Sequence, residues 1–420
     1  MTSELIDYRE HDKNFWYEEL EEWVPKRIYD CHAHMLNNSL IDDSSEHKGV
    51  FPDADFEGIR GWQKTVFPNR DVNNLILGRP ALGTRINEYN DWLYNELSHN
   101  KLTRSHRLTT PSDSLEDIEK DIKNKGFQGL KVYRMYSVTG DMANCTIDEY
   151  LPHEQLELAN ELGLWVTLHL SREDGCGDEK NLKDLTEFTT KRYPNIKWIL
   201  AHIARSFTYR PIQQGIETLR NLPNIWYDLS AVTDIRPYIT LFNNEDHKRI
   251  FYGSDAVESV SFHGAYTAYG HAHQQVETDN LPSLTFSHTT NRPILCIYEQ
   301  LIAMKQASII CELSNDQLED IFWRNALGMP LGIMSSGDMA YAFHHSTDEY
   351  VKIPGKYLKT KDENYFGERQ KYTSIETLGK VKKTALSIDG NSSASIYRFN
   401  DYNIVEFTTK ANAVSYTHLT

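Results

Sequence analysis

The chain has 420 residues, 40% of them hydrophobic, enough to bury a full core and leave room for a second small module. With 60 acidic residues against 44 basic ones the formal net charge is -16, which argues against nucleic acid or an anionic membrane as partner. No apolar run approaches the length needed to span a bilayer.

Residues 1–25 are acidic and aromatic (Glu4, Asp7, Glu10, Phe15, Trp16, Tyr17) and predict an amphipathic helical extension. They lack the basic start and apolar centre of a signal peptide, which makes a cytoplasmic protein the expectation. Strand-like residues 27–34 end in Asp30-Cys31-His32-Ala33-His34. Side chains alternate along a strand, so His32 and His34 face the same way and can close on one metal ion. Two hydrogen-bonded histidines satisfy that spacing equally well. A long loop, 35–72, follows, with Phe51-Pro52, Trp62 and Phe67-Pro68 as expected walls of a pocket mouth.

Further strands are predicted at 73–78, 107–110, 128–133, 164–170, 197–203, 224–230 and 249–255, and the runs that end near Lys131, His169, His202 and Asp255 are short, continuous and rich in β-branched and aromatic residues, as in a parallel sheet buried on both faces. Helical segments intervene. Ser114 to Ile122 opens on a capping-box-like pattern, and Leu151 to Gly163 carries Leu and Ala at helical spacing before a Gly stop. Polar residues stand at or near the strand ends: Lys131 on the fourth, His169 on the fifth, His202 on the sixth and Asp255 on the eighth. Eight strands with helices between them, over about 300 residues, predict a (β/α)₈ TIM barrel, whose chemistry gathers at the carboxyl ends of its strands. A doubly wound sheet would carry a glycine-rich phosphate turn after the first strand, and none is present.

Taken in order, Asp30-Cys31-His32-Ala33-His34, Gly126 to Lys131, Thr167-Leu168-His169, Leu200-Ala201-His202, Tyr252-Gly253-Ser254-Asp255 and Leu313-Ser314 to Asn325-Ala326 resemble the amidohydrolase superfamily, in its amidohydrolase-related branch. The resemblance covers roughly residues 26–332. It departs from the branch's usual Gly-Ser-Asp-Tyr-Pro at Ala256-Val257. It implies a barrel holding one divalent metal, zinc or manganese, or two in some relatives. It also implies hydrolysis of lactones or amides, or non-oxidative decarboxylation.

Neutral imidazoles and a carboxylate that leave one position open lower the pKa of a bound water to about 7 and polarise a carbonyl. His32, His34, His169 and Asp255 are the expected ligands, zinc the expected ion and manganese the alternative. Asp255 is also the expected base, and His202 orients the water, acts as acid or base, or ligates. In binuclear relatives a lysine on the fourth strand is carboxylated and bridges two metals. One metal, with an unmodified Lys131 near the substrate, is the favoured expectation here. Arg134, Arg172, Arg205 and Arg210 follow strands four to six and suit a small organic acid, since a guanidinium matches a carboxylate in two parallel bonds. Each one alone is better explained by a salt bridge to Glu173, Asp174 or Asp228.

The loop His263-Gly264-Ala265-Tyr266 to Tyr269-Gly270-His271-Ala272-His273 suits a lid or specificity wall, a second surface metal site, or plain hydrogen bonding. Cys31, Cys145, Cys176, Cys296 and Cys311 are too scattered for paired bridges and read as reduced thiols, Cys31 as packing. After Leu331-Gly332 the composition shifts. Residues 333–420 are expected to form a small β-rich tail, with a hairpin pairing Ser395–Phe399 and Ile404–Phe407 around Asn400–Asn403. The closing Val414 to Thr420 resembles adapter readthrough, so an incomplete reading frame is expected. A metal-dependent hydrolase of a carboxylated C–O or C–N substrate leads, followed by a non-oxidative decarboxylase and then a non-catalytic binding barrel. A homo-oligomer fits any of these.

Overall fold

Eight largely buried segments pair as parallel strands: β1 (Arg27–Met35), β2 (Asp71–Gly78), β3 (Arg104–Leu108), β4 (Gly129–Val132), β5 (Trp165–Leu168), β6 (Lys197–Leu200), β7 (Ile225–Asp228) and β8 (Ile250–Phe251). This computed structural model describes residues 6–97, 103–277 and 292–327, together with the strands between 339 and 418. The strands are paired in chain order from β1 to β8, and one principal helix separates each pair. These helices are α2 (Phe56–Val66), α3 (Ile86–Leu97), α4 (Leu115–Lys125), α5 (His153–Glu161), α6 (Glu179–Glu187), α7 (Tyr209–Leu219) and α8 (Ile235–Asn244). The result is a (β/α)₈ barrel. The helix at 115–125 starts where its cap dictates, the Ser114 hydroxyl accepting from Asp117 N, and stops at Gly126 in a left-handed conformation.

The barrel closes through single contacts between β1 and the segment after β8. Cys31 N donates to Tyr252 O (2.9 Å), Asp255 N to His32 O (2.7 Å) and His34 N to Ala256 O (2.5 Å). Gly253 permits this approach, because a Cβ there would stand 2.9 Å from that of His32. Beyond β8 come the antiparallel pair β9 (Gly264–Tyr269) and β10 (Ala272–Glu277), then α9 (Cys296–Ile310). Upstream of β1, α1 (Glu10–Phe15) continues into a π-helical turn, Trp16–Leu20, whose Trp16 packs on Tyr298 of α9.

Strand ends were harder to place than strands. The eighth strand, expected over 249–255, is two residues long, because Tyr252 N turns away to Ile321 O (2.9 Å) and Asp255 N to β1. The sixth stops at Leu200, before His202. Trp62 and Phe67, expected as pocket walls, are core residues that pack together, with Phe67 also against Tyr252. All five cysteines are free, and among the described residues no helix is long and apolar enough to cross a membrane.

A second compact unit comprises the C-terminal strands. There β11 (Met339–His344), β12 (Glu349–Pro354), β15 (Lys382–Asp389), β16 (Ser392–Arg398) and β17 (Tyr402–Thr409) form a sheet in the order β12-β11-β17-β16-β15, with β18 (Thr417–His418) on β17. A separate pair joins β13 (Lys359–Thr360) to β14 (Tyr372–Ser374). The β16–β17 pairing includes Ile396 opposite Val405. The expected break at Leu331-Gly332 and the hairpin tip at Asn400-Asp401 lie outside the described residues, as do most of Val414–Thr420.

Candidate metal centre

His32 and His34 lie on β1 at a register shift between Asp30 and Ala33, and their rings lie 4.9 Å apart. Asp30 pins this segment to the end of the barrel. Its buried carboxylate accepts from His32 N (3.1 Å), Ser254 N (2.8 Å) and Ser254 Oγ (2.6 Å). Burial raises its pKa to about 7 against the opposing pull of those bonds. Asp255 follows in a left-handed conformation (φ 59°), its Oδ1 3.4 Å from His32 Nε2 and 3.2 Å from His34 Nε2. These three side chains offer ligand atoms within 4.8 Å of one another.

The hydrogen bonds on the far side of each ring decide what the near side presents. His32 Nδ1 donates to Asp228 Oδ2 (2.9 Å), His34 Nδ1 to Leu77 O (3.0 Å), His169 Nδ1 to Leu170 O (3.3 Å) and His202 Nδ1 to Ser230 O (3.1 Å). A neutral imidazole that donates from Nδ1 keeps a lone pair on Nε2. Burial holds all four histidines below the usual imidazole pKa, so they stand neutral. Burial alone would raise the pKa of Asp255, but it lies below the usual carboxylate value because any proton on His202, His34 or His32 would face the carboxylate directly. Two lone-pair nitrogens and a carboxylate oxygen in mutual contact repel unless a cation joins them. The donor set therefore fits a divalent ion.

Around this group the other residues fall into place. Asp228 ends β7 fully buried and accepts from His32, from His202 N (3.1 Å) and from Ser230 N (3.1 Å) and Oγ. His202 sits in a left-handed turn, His202–Arg205, and its ring lies 5.1 Å from that of His32 and 4.8 Å from that of His169. His169 adjoins that cluster through His202 and Tyr133 (4.7 Å) and lies outside the tight three-residue groups. Lys131 is buried, with Nζ 3.5 Å from His32 Nε2, and burial lowers its pKa to about 8. Glu258, three residues after Asp255, is paired with Arg79 (2.7 Å), whose guanidinium covers the Phe51 ring.

The rim arginines divide into two kinds. Arg172 lies 2.8 Å from Asp178 and Arg210 3.3 Å from Asp174, and both carry the ordinary salt bridge. Arg134 and Arg205 have no carboxylate partner among the described residues. Arg134 Nη1 donates to Met142 O (3.0 Å) and Arg205 Nη1 to Arg172 O (2.5 Å), while Arg134 Nε is buried and unpaired. Both raise the positive potential at His169. Burial, with Arg134 second, brings the Arg205 pKa down to about 10.

Asp228, Ser230, Glu258 and Arg79 were not recognised as part of this site from the sequence. Asp228 carries a detectable signal, an acid closing a strand run like the others, although the sequence offers it only as an arginine partner. The three histidines of the loop after β8 do not share a site. His263 meets Asp12 (2.9 Å), His271 meets Tyr209 (3.0 Å), and His273 stacks on Phe207, which itself lies against His202. Cys31 is buried with its thiol pKa pushed up, as packing requires.

A family model described as amidohydrolase matches residues 29–329. No curated protein matches the chain in sequence. Among solved structures, the probable 2-pyrone-4,6-dicarboxylic acid hydrolase of Acinetobacter baumannii, with citric acid bound, is 14% identical at a TM-score of 0.46, covering 71% of this chain and 97% of that one. The 5-carboxyvanillate decarboxylase of Sphingomonas paucimobilis is 13% identical at 0.42, over 72% and 98% of the two chains. A dihydroxybenzoic acid decarboxylase of a Polaromonas species, with manganese and 2-nitroresorcinol bound, is 13% identical at 0.44, over 72% and 96%.

Proposed function

The chain belongs to the amidohydrolase family, an enzyme family that depends on metal, and from that premise we propose that it is a hydrolase opening a C–O or C–N bond, a lactone or an amide, in a small carboxylated compound. The observation that carries the reading is the convergence of Nε2 lone pairs from His32 and His34 on the ionised Asp255. His32, His34 and Asp255 would hold one divalent ion with His169 at its edge. Two nitrogens and an oxygen suit zinc first and manganese second. Bound there, the ion supplies an acidified water and a polarised carbonyl.

The protein's own groups do the rest. The Asp255 carboxylate takes the proton of the attacking water and returns it to the leaving oxygen or nitrogen. His202, with Nδ1 committed to Ser230, offers Nε2 as an acceptor that orients the water. Arg134 and Arg205 hold the substrate carboxylate, and Lys131 in its unmodified form adds positive charge behind it. Decarboxylation on this scaffold needs a proton donor at the carbon that loses carbon dioxide. Asp255 or His202 would be that donor, so the two reactions share their residues and are separated by whether water enters the product.

The test is a panel of carboxylated lactones and amides with metal-loaded protein in ¹⁸O-water. The expected result is one labelled oxygen in the product, with activity abolished by chelation. Carbon dioxide release without label would establish the decarboxylase instead. Turnover that survives both chelation and His169→Ala would overturn the metal mechanism altogether.

A further inference from the structure

One cluster of metal-type side chains takes no part in this chemistry, and it includes a histidine of the loop after β8. Asp12, in α1, is fully buried; its Oδ1 accepts from Leu295 N (3.0 Å), and its Oδ2 accepts from Arg9 N (2.8 Å) and lies 2.9 Å from Nε2 of His263. His263 is buried as well, just upstream of β9. His11, half-buried, has its ring 5.9 Å from that of His263. Its Nε2 donates to Pro293 O (2.7 Å), which uses one ring nitrogen and leaves the other its lone pair. Ligand atoms of all three lie within 4.8 Å of one another.

We propose that His11, Asp12 and His263 form a second divalent-cation site, selective for zinc, that fastens the N-terminal extension to the loop after β8. Two imidazoles and one carboxylate are a borderline-soft donor set, better matched to zinc than to calcium or magnesium, which require oxygen cages. The surroundings already do what outer-shell partners do at such sites. Two backbone N–H groups orient the Asp12 carboxylate, and a carbonyl orients His11. On binding, the ion takes the place of the N–H···O bond between Nε2 of His263 and Asp12, and the ring carries its hydrogen on Nδ1 instead. The exposed side of His11 gives the ion a way in and leaves a fourth position for water.

The site shares no residue with the candidate catalytic centre, so the two can be separated. Full-length protein stripped with a chelator and titrated with zinc should bind two ions per chain. His11→Ala should bind one and keep its activity, whereas His34→Ala should bind one and lose it. Zinc should still raise the melting temperature of His34→Ala by several degrees, and should fail to do so in the His11→Ala, His34→Ala double variant. His263→Asn, which holds a polar group at the buried position, should behave as His11→Ala does. One zinc per chain in the wild type, unchanged by His11→Ala, would overturn the proposal, as would a second zinc that survives both His11→Ala and His263→Asn. Loss of an ion in His11→Ala with none lost in His34→Ala would leave this site standing and remove the catalytic one.

Discussion

Asp228→Asn changes one atom and nearly no volume, and it tests how the centre is held. Every group that meets this carboxylate is a donor: His32 Nδ1 at 2.9 Å on one oxygen, and His202 N and Ser230 N, each at 3.1 Å, with the Ser230 hydroxyl, on the other. An asparagine must turn its NH₂ toward one of these sides. Facing the two backbone N–H groups would orphan both in a dry interior, at about 1–3 kcal/mol each. Facing His32 costs less, because the ring can shift its proton to Nε2. That shift removes the lone pair that His32 directs toward Asp255. Outer-shell substitutions of this kind cost about 10–100-fold in metal affinity, or about 1.4–2.8 kcal/mol. The assay is zinc affinity by competition with a chromogenic chelator, with His11→Ala as the background so that only the centre at His32 is read. An affinity within threefold of the unsubstituted background would refute the tautomer argument.

Arg134→Met and Arg205→Met should each raise KM for a carboxylated substrate by about tenfold to a hundredfold, the worth of one charge-assisted bond, while leaving a neutral ester analogue unaffected in steady-state kinetics. Arg107 is fully buried, bridging Asp113 (2.5 Å) and Asp121 (2.9 Å) beneath the barrel wall. Arg107→Met should destabilise the fold by about 3–5 kcal/mol, read by calorimetry. Because burial holds His32, His34 and His169 below the usual imidazole pKa of 6.5, their lone pairs persist as pH falls through that value. The sign follows: the unfolded chain takes up protons first, so these rings favour the folded state above pH 6.5, and the advantage is lost as pH falls through their depressed pKa values. Metal occupancy after dialysis should therefore hold at pH 6.5 and fall only below it, and a midpoint at or above 6.5 would contradict this.

The barrel is readable because strands buried on both faces, such as Trp165–Leu168 and Ile225–Asp228, are short runs rich in β-branched and aromatic residues, and they alternate with capped helices such as the one after Ser114. The ends are not. Chain contacts that decide them are distant in sequence, as where Tyr252 N pairs with Ile321 and Asp255 N with His32. Nor does any glycine announce the left-handed turn that carries His202 and Arg205. His32, His34, His169, His202 and Asp255 were recognisable as ligand types at strand ends. Asp228 met the same criterion at the end of β7, but its service to two histidines depends on the barrel bringing β1, β6 and β7 together. The division of the arginines was likewise hidden. Asp178 and Asp174 take Arg172 and Arg210 through local loop geometry, and nothing in composition tells these from Arg134 and Arg205.

An anomalous difference map from crystals of the zinc-loaded protein, collected at the zinc edge, bears on the central claim most directly. The account predicts a peak about 2.0–2.2 Å from Nε2 of His32, Nε2 of His34 and a carboxylate oxygen of Asp255. Zinc-saturated crystals with no peak among those three side chains would contradict it.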